Sequence, residues 1–185
     1  MSWKCSLPCL LLLLTSCGAK RTPTGPGSPP DALEDGWAVA SFEGVKDFEW
    51  QPAGKRGTDT GGHLRLRPRD FLKVGALAVG GGTWNGQRLV SEAWVTEVGQ
   101  PLGPLGDSQY GLLWWHARFV VQDTAVEVSF ARGNGGQYLF LVPSLGLSAA
   151  FTASHYNDDA GSLLPITLFG RYVLPAALGF EQAGP

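Results

Sequence analysis

The sequence predicts an α+β domain, an antiparallel sheet with flanking helices, and three observations point there. Its 185 residues include 26 glycines and 13 prolines, too much punctuation for long helical bundles, while the glycines lack the three-residue period of collagen. Two helical patterns precede a run of short β-rich segments, an order that packs helices on a sheet of neighbouring strands. Hydrophobic residues make up 44% and charged residues 16%, with a formal net charge of −2. That balance excludes a polar disordered chain and gives no basic field for nucleic acid. A domain of this size buries about 70% of the surface its unfolded chain exposes, so a self-sufficient core is permitted.

Residues 1–17 read as an export signal. Lys4 supplies a small positive region, and leucines follow from Leu7 to Leu14, interrupted by Pro8 and Cys9. The run is far short of the ~20 residues of a membrane-spanning helix. Leu14-Thr15-Ser16-Cys17 resembles a bacterial lipobox, which implies a lipidated Cys17 as the first mature residue and a chain held at the cell envelope. An ordinary cleaved secretory peptide and a buried leucine strand are the alternatives. Cys5 and Cys9 would be removed with the signal, leaving no internal disulfide. Residues 18–36, with Pro23, Pro26, Pro29 and Pro30 among small and polar residues, carry too little apolar surface to fold and read as a tether. The domain is expected over 37–185.

Within the domain, weak alternation suggests a strand over 37–42, followed by a poorly patterned stretch to Gly62. Pro68 suits a first helical position, and Phe71, Leu72, Gly75, Ala78 and Val79 recur at helical spacing, so a helix is expected over 68–79. Gly80, Gly81 and Gly82 stop it, and Asn85-Gly86 signals a tight turn. Ser91 is placed to cap a second short helix with Glu92 at its positive end and Trp94, Val95 and Val98 on its apolar side. A loop is expected over 101–106. Strands are expected over 110–115, over 119–130 with an interruption at Gln122-Asp123, over 138–142 and over 147–153, with a hairpin turn over 143–146. After Asp158 the pattern is helical again, interrupted at Pro165 and ended near Gly179.

A succession of motifs carries more information than any one of them. His63-Leu64-Arg65-Leu66-Arg67-Pro68-Arg69-Asp70-Phe71-Leu72-Lys73, Gly81-Gly82-Thr83-Trp84-Asn85-Gly86, Val90-Ser91-Glu92-Ala93-Trp94-Val95, Tyr110-Gly111-Leu112-Leu113-Trp114-Trp115 and Gly133-Asn134-Gly135-Gly136-Gln137 follow one another. Together they resemble the C-terminal half of serine hydrolases related to class C β-lactamases, a family that also holds penicillin-binding proteins, esterases and nylon-oligomer hydrolases. The resemblance runs from about Trp50 to the end and implies the corresponding part of the serine β-lactamase-like fold.

The family's activity is acyl transfer through a serine ester, on β-lactam, ester or amide substrates. It needs a Ser-x-x-Lys nucleophile, a Tyr-x-Asn or Ser-x-Asn box and a third, strand-borne box. No serine here precedes a lysine by three; the nearest analogue is Ser129 with Arg132, whose guanidinium does not act as a base. No tyrosine or serine precedes an asparagine by two. The resemblance therefore implies no catalytic residue in this chain. Of the third box only the form remains: Gly133, Asn134, Gly135 and Gly136, opening the strand that starts at Gln137, read as a vestigial wall of a substrate site. A glycine-rich strand-entry turn with no ligand is the alternative reading of the same residues.

Other patterns carry less. Ser154, His155, Asp158 and Asp159 are too close in sequence for a hydrolytic triad and read as a strand end and helix cap. His63, His116 and His155 are too dispersed for a metal site, so no metal is expected. The glycines at 80–82 lack the Gly-Lys-Ser/Thr ending of a phosphate loop, and no cofactor is expected. The tryptophans read as core, with Trp114 and Trp115 on opposite faces of a strand.

The functional expectation is a truncated member of this hydrolase family without catalytic machinery of its own. The alternative is a non-catalytic envelope lipoprotein serving as a binding module for peptidoglycan or a protein. A sheet that lost a covering half would expose an edge, so self-association is a further expectation.

Overall fold

The computed structural model describes residues 5–7, 45, 48–50, 64–105 and 108–180. The Cys17 lipobox, the tether and the strand expected over 37–42 lie outside the described residues. A first strand, β1 (Cys5–Leu7), and a second, β2 (Glu49–Trp50), flank β3 (Leu64–Leu66) in a small antiparallel sheet.

Helix α1 (Pro68–Val79) has the bounds the sequence predicts, with Pro68 in its first turn. Its buried face is Phe71, Val74, Gly75, Leu77 and Ala78, together with Asp70, whose carboxylate accepts from Lys73 Nζ at 2.7 Å. The glycines after it turn the chain into a short hairpin, β4 (Thr83–Trp84) and β5 (Gln87–Arg88). Asn85 and Gly86 both hold positive φ, 48° and 78°, the geometry of the turn their sequence signals. Helix α2 (Glu92–Val98) begins at Ser91, whose side chain accepts from the Trp94 N–H.

The main sheet has six antiparallel strands that follow one another across it in chain order. They are β6 (Gly103–Leu105), β7 (Ser108–Gly111), β8 (Trp114–Val121), β9 (Thr124–Arg132), β10 (Tyr138–Val142) and β11 (Leu147–Phe151). Each strand pairs with its sequence neighbour, so the sheet is a meander and every connection is short. The broad α+β expectation holds.

Four expectations are corrected; the first is the interrupted strand over 119–130, which is the end of β8 and the start of β9, paired antiparallel with each other across Gln122-Asp123. The loop expected over 101–106 contains strand β6, paired with β7; Gly103-Pro104-Leu105 has no alternation to reveal it. The strand expected over 110–115 is two strands, β7 and β8, joined at Leu112 and Leu113, whose φ angles of 46° and 70° are left-handed. Two leucines carry no turn signal; they hold this conformation while packing against the core, so burial offsets a backbone penalty of about 1–2 kcal/mol each. Lastly, Pro165 does not interrupt the final helix. Helix α3 (Asp159–Leu168) contains it, and the irregularity falls later, in a π turn over Phe169–Val173 before α4 (Leu174–Ala177). There the Leu174 N–H reaches back five residues to the Phe169 carbonyl, just ahead of Pro175, which has no N–H to continue the ladder.

Side-chain alternation along β8 divides the core in two. Trp114, fully buried, joins Phe71, Val74, Leu77, Leu139 and Leu141 between the sheet and α1 and α2. Trp115 faces the opposite side, where Phe130, Tyr138, Phe140 and Phe169 form the second cluster beneath the C-terminal helices. Phe140 and Phe169 stack there at 4.0 Å with their rings 4° apart. The closest approach in the first layer is at Gly75: a Cβ there would lie 2.8 Å from Ser148 Cβ and 2.9 Å from Leu139 Cδ1. Glycine is what lets α1 sit directly on the end of the sheet.

Candidate functional site

The glycine loop between β9 and β10 is where the sequence places a vestigial substrate wall. Gly133, Gly135 and Gly136 are buried and Asn134 is exposed. Its amides face inward. The Gly133 N–H donates to the Gln137 carbonyl at 2.8 Å, the Gly136 N–H to the Gly133 carbonyl at 3.3 Å, and the Gly135 N–H to Gln137 Oε1 at 3.0 Å. The Gly135 carbonyl in turn accepts from the His155 N–H at 3.0 Å.

Gln137 holds this arrangement together. Its side chain is 2% exposed, and Nε2 donates to the Ala153 carbonyl at 2.5 Å and to Tyr156 Oη at 3.4 Å. A buried amide costs free energy unless it is bonded, and this one bonds at both ends. The glycines have a packing reason. A Cβ on Gly135 would lie 2.6 Å from Gln137 Nε2 and 2.9 Å from the Tyr156 ring, and Gly136 has φ +83°. Asp158 caps α3 by accepting from the Gly161 N–H at 3.1 Å, as the strand-end and helix-cap expectation requires. His155 Nδ1 lies 3.5 Å from Asp158 Oδ2.

Ser129 and Arg132 do not form a pair. Arg132 lies over the Trp115 ring at 5.2 Å. Ser129 faces the α1 and α2 side, because three residues along a strand reverse the side-chain direction. Lys73, the one lysine among the described residues, is engaged by Asp70. Tyr138 beside the loop has its hydroxyl pKa raised by burial, with the Arg132 charge opposing.

Sequence reasoning misses a different polar pair. His116 on β8 stands directly opposite Ser129 on β9, and its Nδ1 lies 3.0 Å from Ser129 Oγ. The register was the available signal, since a two-residue turn at Gln122-Asp123 sets these partners opposite. The ring is buried at 7% exposure and its pKa is lowered by that burial, with the Gly111 backbone opposing. Gly111 does not close a hydrogen bond to Nε2, which has no partner among the described residues; nor does the buried Trp114 Nε1. Ser129 and Trp114 both line a small cleft of about 40 Å³ with Ala78, Val95, Val98, Gly99, Leu141 and Pro143. Gly99 and Pro143 are exposed and form its mouth.

Among the described residues no group of three or more His, Cys, Asp and Glu is placed to hold a metal ion, and no helix is long and apolar enough to cross a membrane. No protein-family model matches the sequence, and no curated protein matches it significantly.

Proposed function

We propose that this chain is a relative of the β-lactamase-related serine hydrolases that resembles their C-terminal half, carried on a lipidated Cys17 at the bacterial envelope, and that it performs no acyl-transfer turnover. The observation that supports the absence of turnover best is the commitment of the glycine-loop amides. An oxyanion hole requires N–H donors aimed at the developing charge, and the Gly133, Gly135 and Gly136 donors are bonded within the loop. The second support is the isolation of the nucleophile candidates from an amine base: Lys73 pairs with Asp70, and Ser129 faces a histidine instead. The motif succession argues for the family, and the committed donors argue against its chemistry here.

The test is steady-state kinetics of the purified full chain with a chromogenic cephalosporin and a nitrophenyl ester. Rates equal to buffer are expected for both, and saturable turnover of either would overturn the proposal.

A second reading, a non-catalytic binding module, is favoured by the outer face of the C-terminal segment. Leu163, Leu164 and Tyr172 are exposed there at 44%, 47% and 42%, near the exposed Tyr156 in sequence. Apolar side chains of this size on a solvent face suit a protein partner or a second copy. Pull-down on peptidoglycan sacculi and light scattering of the purified chain separate the possible partners; failure to bind sacculi together with a monomeric mass would remove this reading.

A further inference from the structure

We propose that Ser129, with His116 as its proton acceptor, is a site of covalent modification that takes a small activated phosphonyl or acyl group into the cleft beneath α2. It stands alongside the proposed absence of turnover, because it concerns a single bond-forming event and no release.

The geometry has the parts such a step needs. Ser129 is partly exposed and lines the cleft, while its partner His116 Nδ1 is at 3.0 Å, within the reach of a general base. With the ring proton on Nε2, Nδ1 presents its lone pair to the hydroxyl. Burial keeps the imidazole in its neutral, basic form at neutral pH. Trp114, two residues before His116 and so on the same face of β8, is fully buried and has an indole N–H without a partner among the described residues. Trp114 itself lines the cleft. A buried donor left without a bond carries a desolvation cost that a bound polar group would remove.

The walls set the class of ligand. Ala78, Val95, Val98, Leu141 and Pro143 are apolar, and 40 Å³ admits about three water-sized groups. Only a short acyl or phosphonyl group fits, with its leaving group at the Gly99–Pro143 mouth. With a phosphonofluoridate, the Ser129 Oγ–P bond forms, the P–F bond breaks, fluoride leaves and the hydroxyl proton passes to His116 and on to solvent. His116 is itself the base a hydrolytic water would need, but a group that fills a cleft of about 40 Å³ leaves no room for a water beside it, so the adduct persists.

Intact-mass spectrometry and peptide mapping of the full chain after treatment with a short alkyl fluorophosphonate test this. One phosphonyl adduct at Ser129 is expected on the native chain, none on the urea-unfolded chain and none on Ser129→Ala. His116→Gln should slow labelling about 100-fold. Val95→Trp, which leaves both reacting residues in place and fills the cleft, should block it even if the His116 variant does not fold. No adduct on the native chain, an adduct that survives Ser129→Ala, or equal labelling after unfolding would overturn the site. Ester turnover would overturn the proposed function instead, so the two failures are distinguishable.

Discussion

Gln137 Oε1 accepts the Gly135 N–H at 3.0 Å, so a side chain from the first position after the glycine loop occupies a donor that an oxyanion would otherwise need. The same amide bonds the Ala153 carbonyl through its nitrogen. One residue thereby ties the loop to the chain beyond β11. Between the two residues Gly136 turns the chain with a φ of +83°.

Removing that amide leaves buried polar groups without partners. Gln137→Leu is expected to destabilise the domain by about 2–4 kcal/mol, the cost of two or so unsatisfied groups. A midpoint drop of roughly 5–15 °C follows for a domain of this size. Thermal unfolding followed by circular dichroism reads it, and an unchanged midpoint would show that the clamp contributes nothing.

Gly75 is expected to tolerate no larger residue. Its Cβ position lies 2.8 Å from Ser148 Cβ and 2.9 Å from Leu139 Cδ1, so Gly75→Val overpacks the α1 contact and costs about 1–3 kcal/mol. Ser148→Gly should recover part of that loss when the two changes are combined, because neighbouring sites couple. Urea titration of the four chains gives the coupling; strict additivity would argue that α1 does not rest on β11 at this point.

Stability should fall on acidification with a contribution from His116. Burial lowers its pKa in the folded chain from the ordinary 6.5, so the unfolded chain takes up the proton first as pH drops. The stabilisation is then complete above about pH 6.5 and declines as pH falls through the depressed folded value. Urea midpoints measured from roughly pH 8 to pH 5 in the wild-type chain and in His116→Gln isolate this term, since carboxylates contribute equally to both. Parallel curves would remove it.

Phe169 is the anchor of the C-terminal helices. It is fully buried and stacks on Phe140 at 4.0 Å, so Phe169→Ala is expected to cost about 3–5 kcal/mol. Amide hydrogen exchange should show lost protection concentrated in α3, the π turn and α4 rather than in α1. Uniform loss across the domain would mean that the two core layers unfold as one.

The helices were legible because their signals are local. Pro68 and the apolar face of α1 act within one element, and Ser91 lies one turn from the amide it caps. The 143–146 turn and the opposite faces of Trp114 and Trp115 were legible for the same reason. What escaped depends on tertiary context. Leu112 and Leu113 make a turn sustained by packing against the core, and β6 is a strand because β7 pairs with it. The His116–Ser129 contact requires the register of β8 on β9, and by pattern alone 119–130 is one interrupted strand. In the glycine loop, residue identities showed a strand entrance; that Gln137 reaches back to fill it is a side-chain fact no spacing rule contains.

The most direct measurement is the number of leaving groups released per chain when the purified full-length protein is held with excess nitrophenyl acetate. Committed loop donors and a Ser129 adduct that fills its cleft and excludes an attacking water require release to stop at or below one per chain above the buffer rate. Continued, saturable release would show an oxyanion site and a deacylation route, and would contradict the account.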